Sequence, residues 1–345
     1  MNILVLNPSP AELEYSFCRI PEYKIPAGKI LKNWQAEDMS ETMKRIVSDI
    51  NKSFKNEKIE AIAIRAAMGG TEFKAPVIVT DEAREKIIKL FPQAPMHLPL
   101  VVNLIDITKE ILHGIPVVAV FDSGFFANLP HREAFYGVGS DLSNKLNLRR
   151  YGYHGLFHKA ASEESGKVIS ICLEPRPETA AIADGRALMV TSGATPIEGI
   201  PGQKSCGDID ASIVLALSEK KGWTPEQINI ELTEKSGIRG LAGKNVTIAE
   251  VFRSEDKKIK CVAEIIFYKI LIACGMAAAA MGGVDRIVFS GRYAEETADI
   301  IKEKLEKKLK GFCKRNKSKI KWTAFKKTIN EIIAEDALIT ILKNK

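Results

Sequence analysis

Cysteine is sparse and scattered in this chain. Its 345 residues hold six, at positions 18, 172, 206, 261, 274 and 313, with no CxxC pair among them. That spacing excludes a zinc ribbon and a disulfide-stapled scaffold, and it points to a reducing compartment, the cytoplasm. Histidine is scarcer still, at five. The N-terminus lacks a basic region followed by a long apolar core. It runs straight into the strand-like Asn2-Ile-Leu-Val-Leu-Asn7, so no signal peptide is expected. A long uninterrupted hydrophobic run is missing too. The most apolar stretch, 265–283, is broken by Lys269 and rich in alanine and glycine, which predicts a tightly packed interior helix and no membrane span. Charge of one sign is not concentrated either. The formal net charge is +7 and spread out, with lysines clustered only in 302–321, a pattern that reads as a solvated helix face. Nucleic acid and membrane are therefore not expected as partners.

What is present fits a soluble globular chain of two ordinary domains: 46% hydrophobic residues and 27% charged ones over a length with ample core. No low-complexity linker divides it, but a faint duplication does. The buried-strand pattern at 3–6 recurs at 167–172, and the second copy is followed by two short strands around Asp184-Gly185, a hairpin signal. Each half later shows an apolar strand running into a glycine turn, at 59–70 and at 286–291. Helices are expected over 81–90 after an aspartate start, over 211–220 after Asp208-Ile-Asp210, and over 262–281 and 294–309. Strands with hairpins, then alternating strands and helices, twice over, predict two α/β domains with a cleft between them.

Two of the five histidines stand four residues apart in Arg149-Arg150-Tyr151-Gly152-Tyr153-His154-Gly155-Leu156-Phe157-His158. Such a density of cations and imidazoles suits a small doubly charged anion. The run is similar to the R-R/K-Y-G-F-H-G-x-x-H motif of the acetate kinase family, enzymes that pass a phosphoryl group between ATP and a short carboxylate. The resemblance continues in order through nearly the whole chain, which is shorter than typical members. It implies an α/β fold of two duplicated ribonuclease-H-like domains with an intervening cleft, shared with actin, hexokinase and sugar kinases. The domains would be 1–147 plus 331–345, and 148–330 on the nucleotide side. It also implies ATP and Mg2+ as cofactors, a short-chain carboxylate or acyl phosphate as partner, and a homodimer.

Residue by residue, Arg65 in Ile-Arg-Ala-Ala-Met-Gly-Gly resembles the family arginine that grips the carboxylate and the moving phosphoryl group. A planar guanidinium suits that task, although a surface or bridging arginine fits the same residues. Asp122 in Val-Phe-Asp-Ser-Gly-Phe resembles the aspartate that orients this arginine, or else caps a helix. His154 matches the histidine that contacts the phosphoryl oxygens. His158 either follows it into the site or fills a polar gap in the core. His97 resembles the histidine of A-P-L-H-N-P. Ala67, Met96, Tyr153 and Pro196 take the pocket-wall positions, and alanine at 67, where valine is usual, makes room for a carboxylate longer than acetate. Asn7, Lys204, Gly207 and Asp208 fall at cofactor-side positions, and Glu335 matches a Mg2+-holding glutamate.

Departures concentrate on the donor side. The small-residue loop N-A-G-S-S-S-x-K is replaced by Asn7-Pro8-Ser9-Pro10-Ala11-Glu12-Leu13-Glu14. The glycine loop H-L-G-N-G-A-S is replaced by Cys172-Leu173-Glu174-Pro175-Arg176-Pro177-Glu178. Prolines remove backbone donors and acids repel phosphate. Ser205 stands where the family has its second catalytic arginine, with Lys204 adjacent. Arg292 and Tyr293 replace the small adenine turn G-I-G-E-N. These residues predict a retained acyl-phosphate site with eroded ATP motifs and weak, altered or lost kinase activity. Two other readings share the same residues: a working ATP-dependent carboxylate kinase, and a pyrophosphate-dependent or acyl-phosphate-hydrolysing relative.

Overall fold

Ile3, Leu4, Val5 and Leu6 are fully buried in β1 (Asn2–Pro8), as their apolar run requires. The computed structural model describes residues 1–20, 24–32, 34, 38–54, 57–313 and 320–344. The chain divides into two units, Met1–Ala127 with Lys327–Lys345, and Asn128–Lys326.

In the first unit β1 is followed by β2 (Glu12–Arg19), β3 (Lys24–Lys32), α1 (Met39–Ser53), β4 (Ala61–Ala66), β5 (Val77–Ile78), α2 (Asp81–Lys89), α3 (Leu98–Ile111) and β6 (Val117–Phe121). The sheet order is β3-β2-β1-β4-β6-β5. β1, β4 and β6 run parallel, and β2 and β3 add an antiparallel pair. Asp38 and Thr80 cap α1 and α2 by accepting from Ser40 N and Ala83 N.

The second unit contains α4 (His131–Ala134), α5 (Ser140–Leu146), α6 (Gly155–Ala161), β7 (Lys167–Cys172), β8 (Glu178–Ala183), β9 (Arg186–Val190), α7 (Ala211–Lys221), α8 (Pro225–Glu234), α9 (Gly237–Ala242), α10 (Ile248–Arg253), α11 (Lys257–Met281), β10 (Arg286–Ser290), α12 (Ala294–Cys313) and β11 (Lys321–Ala324). Its sheet order is β11-β10-β7-β8-β9. Read from β9, the order and directions repeat those of β3-β2-β1-β4-β6, so the expected duplication is present as two copies of one strand arrangement. The β8–β9 turn is the predicted hairpin. Asp184 (φ 47°) and Gly185 (φ 75°) both take the left-handed conformation that a two-residue turn of this twist demands.

The apolar stretch 265–283 lies mostly in α11, which starts earlier than the apolar pattern because Asp256 caps it through Lys258 N and Ile259 N. Among the described residues α11 is the one helix long and apolar enough to cross a membrane. Its Ile266, Ile270, Ala273, Cys274 and Ala277 belong to the second unit's core with Ile169, Ile171 and Ile287, as predicted for an interior helix. Residues 314–319 of the lysine-rich stretch lie outside the described residues.

The last helix, α13 (Ile329–Lys343), belongs to the first unit, where it packs across β1, β4 and β6. Thr328 and Glu331 form its capping box. The unit boundaries fall at 127/128 and 326/327, against expectations of 147/148 and 330/331. Segment 128–147 joins the second unit through its hydrogen bonds. Glu133 accepts from Val190 N at 3.1 Å, Tyr136 OH from Ala194 N at 2.7 Å, and Ala134 O from Arg150 N at 2.7 Å.

Candidate active site

In the first unit the site is built at the C-terminal ends of β4 and β6. Their parallel register sets Ala66 against Phe121, so Asp122 begins the turn beside the end of β4. Asp122 is 1% exposed and caps no helix; its Oδ2 accepts from Arg65 Nε at 2.8 Å and from Arg65 Nη2. Arg65 Nη1 donates to Asn7 Oδ1 at 3.0 Å, and its side chain keeps 21% of its surface exposed. Two acceptors thus fix the plane of the guanidinium while part of it still faces solvent. That arrangement suits binding an oxyanion from one side. Ser123 Oγ accepts from Gly69 N at 2.8 Å and ties the glycine turn after β4 to the turn after β6.

Asn7 is held from behind. Its Nδ2 donates to Glu14 Oε2 at 3.2 Å, and Asn330 of α13 donates to Glu14 Oε1 at 2.9 Å and to Ser16 Oγ at 2.7 Å. Glu14 was read as an acid that repels phosphate; here it is a strut between β1 and α13. The Pro8–Pro10 turn is also closed on itself, with Ser9 bonded to Glu12 and Trp34 Nε1 donating to Ser9 O at 3.0 Å. Of the first unit's pocket-wall residues, Ala67 is half-buried, Met96 is 65% exposed in the loop before α3, and His97 stands at the N-cap position of α3.

Glu335 is paired within its own unit. Lys327 Nζ lies 2.8 and 3.0 Å from its two oxygens, so the carboxylate is already paired with an ammonium ion. No group of three or more His, Cys, Asp or Glu that could hold a metal exists among the described residues. These side chains do not fit a Mg2+ site at Glu335.

In the second unit the two histidines of the Arg149–His158 run part company. His154 sits at φ 50° and ψ 23°, immediately before α6 starts at Gly155. A non-glycine residue held in the left-handed region stores strain, a frequent sign of a side chain aimed for function. His158 lies inside α6 and is fully buried. Its Nδ1 is 2.8 Å from Ser170 Oγ and its Nε2 is 3.0 Å from Glu178 Oε1. It fills a polar gap in the core, and it does not line a substrate surface.

Glu178 is the residue that sequence reasoning missed. It was read as part of a phosphate-repelling loop, yet it opens β8 opposite Cys172 and is fully buried. Its Oε2 accepts from Tyr153 N at 3.0 Å, one residue before His154. Burial raises its carboxyl above the usual range, opposed by the hydrogen bond and charge of His158. Period-two alternation puts Glu178 on one face with Ala180 and Ile182, and that pattern was the available signal.

Arg150 of the motif is an internal clamp. Arg150 Nη2 lies 2.7 Å from Glu198 Oε1, and Nη1 donates to the carbonyls of Val190, Thr191 and Ser192 at 3.2–3.5 Å. Tyr136 donates to Glu198, and Tyr153 donates to Ala194 O at 3.2 Å. Together they fix the loop that carries half-buried Pro196. Burial lifts the Tyr153 and Tyr136 hydroxyls well above their usual range, and Glu198 adds to the effect at Tyr136.

The cofactor-side positions of this unit make contacts within the chain. Asp208 Oδ1 accepts from Gly199 N at 2.8 Å while Asp208 N donates to Gly199 O at 2.9 Å, a clasp that closes the 199–208 loop. Gly207 (φ 74°) lies so close that a Cβ there would stand 2.6 Å from Gly199 O. Lys204 is paired at the surface with Glu234 at 2.9 Å, and Ser205 is buried in the turn. Arg176 is half-buried, and burial lowers its pKa.

Known proteins resemble this chain over most of its length. The acetokinase family model matches residues 22–340. An acetate kinase from Thermoanaerobacterium thermosaccharolyticum is 32% identical over 257 residues, which cover 70% of this chain and 64% of that relative's length. The crystal structure of Porphyromonas gingivalis acetate kinase superposes with a TM-score of 0.88 at 25% identity, covering 99% of both chains. That of a propionate kinase from Francisella tularensis gives 0.86 at 25% identity, covering 97% and 98%.

Proposed function

The chain belongs to the acetokinase family, and on that footing we propose that it handles short-chain carboxylates and their acyl phosphates as a phosphotransferase whose nucleotide side is weakened. The observation that carries this reading is the Arg65 guanidinium, fixed by Asp122 and Asn7 and still partly exposed. In this reading Arg65 binds the carboxylate and neutralises charge on the transferring group. His154 donates to the phosphoryl oxygens as charge spreads over them. Transfer is in line: a P–O bond forms at the carboxylate oxygen as the donor's P–O bond breaks, with no covalent enzyme intermediate. ATP supplies the phosphoryl group when bound.

Ser205, buried where the family has its second arginine, favours one further reading, a protein that binds acyl phosphate without turning it over. Calorimetry with acetyl phosphate, set beside an assay of acyl phosphate formation from ATP with acetate, propionate and butyrate, tests both. Acetyl phosphate is expected to bind, with slow ATP-driven turnover. Fast turnover removes the weakened nucleotide side, and complete absence of turnover leaves the binder. Absence of acetyl phosphate binding overturns the site.

A homodimer is part of the same proposal. Ile265, Tyr268, Ile272 and Met276 are 40–58% exposed and fall on one face of α11 at spacings of three and four. An apolar stripe of this kind suits contact with a second copy of the chain. Tyr268→Glu with Ile272→Glu is expected to halve the mass seen by sedimentation. A wild type that sediments as a monomer refutes the dimer, and an unchanged dimer in the variant refutes this face.

A further inference from the structure

In the second unit the loop after β7 and the turn after β10 are joined by the chain itself. Glu174 is 8% exposed. Its Oε1 accepts from Arg292 N at 2.7 Å, and its Oε2 accepts from Arg292 Nε at 3.0 Å. Leu173 N donates to Ser290 O at 2.7 Å, and Tyr293 N donates to Leu173 O at 3.0 Å. Gly291 (φ 91°) lies so close to this loop that a Cβ would stand 2.8 Å from the Leu173 carbonyl carbon. The two segments, 118 residues apart in sequence, form one closed patch.

Arg292 leads directly into α12, a helix of 20 residues. The start of such a helix attracts anions because its first amides lack internal partners and the dipole is positive there. Here the amides leading in are taken. Arg292 N goes to Glu174, Tyr293 N to Leu173 O, and Ala294 N to Gly291 O at 3.0 Å. Pro175 and Pro177 have no N–H to offer, and Glu295 and Glu296 add negative charge to the first turn. The amides of the turn that enters α12 are thus satisfied within the chain, and the one at Arg292 is held by the chain's own carboxylate.

We propose that Glu174 is an internal anion that occupies the turn entering α12 and excludes external phosphate groups, those of nucleotides among them, so that it sets the donor specificity of this unit. This inference deepens the proposed weakening of the nucleotide side and rests on that reading. An incoming triphosphate must displace a buried carboxylate that makes two charge-assisted contacts, and it meets that carboxylate's charge as it does so. The loop's acidic residue acts here as a plug with named partners.

The test is calorimetric titration of wild type, Glu174→Ala and Glu174→Gln with ATP and with pyrophosphate, and with acetyl phosphate in parallel. Wild type is expected to bind ATP only weakly, in the millimolar range. Glu174→Ala is expected to gain about tenfold or more in ATP affinity. Glu174→Gln falls between, since it keeps an acceptor oxygen for Arg292 N and loses the charge. A gain for pyrophosphate without one for ATP shows a plug on the phosphates alone and overturns the nucleotide part. Equal ATP affinity in wild type and Glu174→Ala overturns the proposal. Should Glu174→Ala fail to fold, Arg292→Ala removes the side-chain half of the clasp and should raise ATP affinity by a smaller factor; no gain there counts against the plug. Acetyl phosphate affinity reads the Arg65 site alone. Its loss in wild type would sink the functional reading, and its retention beside an unresponsive Glu174 would sink only this inference.

Discussion

Replacing Arg65 with alanine is expected to lower acetyl phosphate affinity, and whatever turnover the wild type shows, by about 10²–10³-fold. The guanidinium is held by two side-chain acceptors, Asp122 and Asn7, at the ends of the parallel strands. Removal also leaves Asp122, 1% exposed, without that partner. Breaking a buried pair this way costs about 3–5 kcal/mol, so a loss of binding could reflect a loss of fold. Arg65→Lys separates the two. It keeps a positive charge for Asp122 and loses the planar fork, so the melting temperature should fall less than in Arg65→Ala while binding stays weak. Undiminished acetyl phosphate affinity in either variant would place the anion site elsewhere.

The second large effect is structural and lies at His158. Ser170, His158 and Glu178 form a fully buried chain of hydrogen bonds, and Glu178 also holds the backbone of Tyr153. His158→Ala or Glu178→Ala is expected to cost about 3–5 kcal/mol each, because each leaves a buried charged or polar group without its partner. For a unit of this size that is a fall in melting temperature of roughly 6–20 °C. The double variant should cost much less than the sum of the two, since the partners fail together. Additive losses would show that the histidine and the glutamate act independently. The glutamate variant carries a further mark. Its hydrogen bond to Tyr153 N helps keep His154 in the left-handed conformation, so any activity left in stable molecules should show a reduced kcat with little change in KM.

Much of this fold was legible. β1, the β8–β9 turn, α7 and α11 follow from apolar periodicity, Asp-Gly chemistry and aspartate caps. So was the pairing of Arg65 with Asp122, given the family resemblance. Of the two readings of His158 the core one holds, because a spacing of four implies one helix face only if both residues are helical. His154 stands outside α6 with φ 50°, so its side chain and that of His158 diverge. Glu174 and Glu178 misled. Beside Pro175 and Pro177 both read as loop acids that repel phosphate, yet pairing with Cys172 draws Glu178 into β8. Glu174 finds Arg292 only because β7 and β10 are neighbours in the sheet. Contacts set by strand order have no local signature. The same holds for segment 128–147, whose short helices give no hint that Glu133 and Tyr136 anchor in the second unit.

The position of α13 bears on the order in which the protein matures during synthesis. Residues 128–326 are contiguous, so the second unit has all its strands and helices once they have left the ribosome. The first unit emerges earlier and must wait, because Ile332, Ile333, Ala334, Ala337 and Ile341 of α13 complete the covering of its sheet. For most of translation the chain therefore carries an uncovered apolar sheet at its leading end. A late-synthesised C-terminal helix makes the first-made domain the last to finish, and its nascent form a natural client for chaperones.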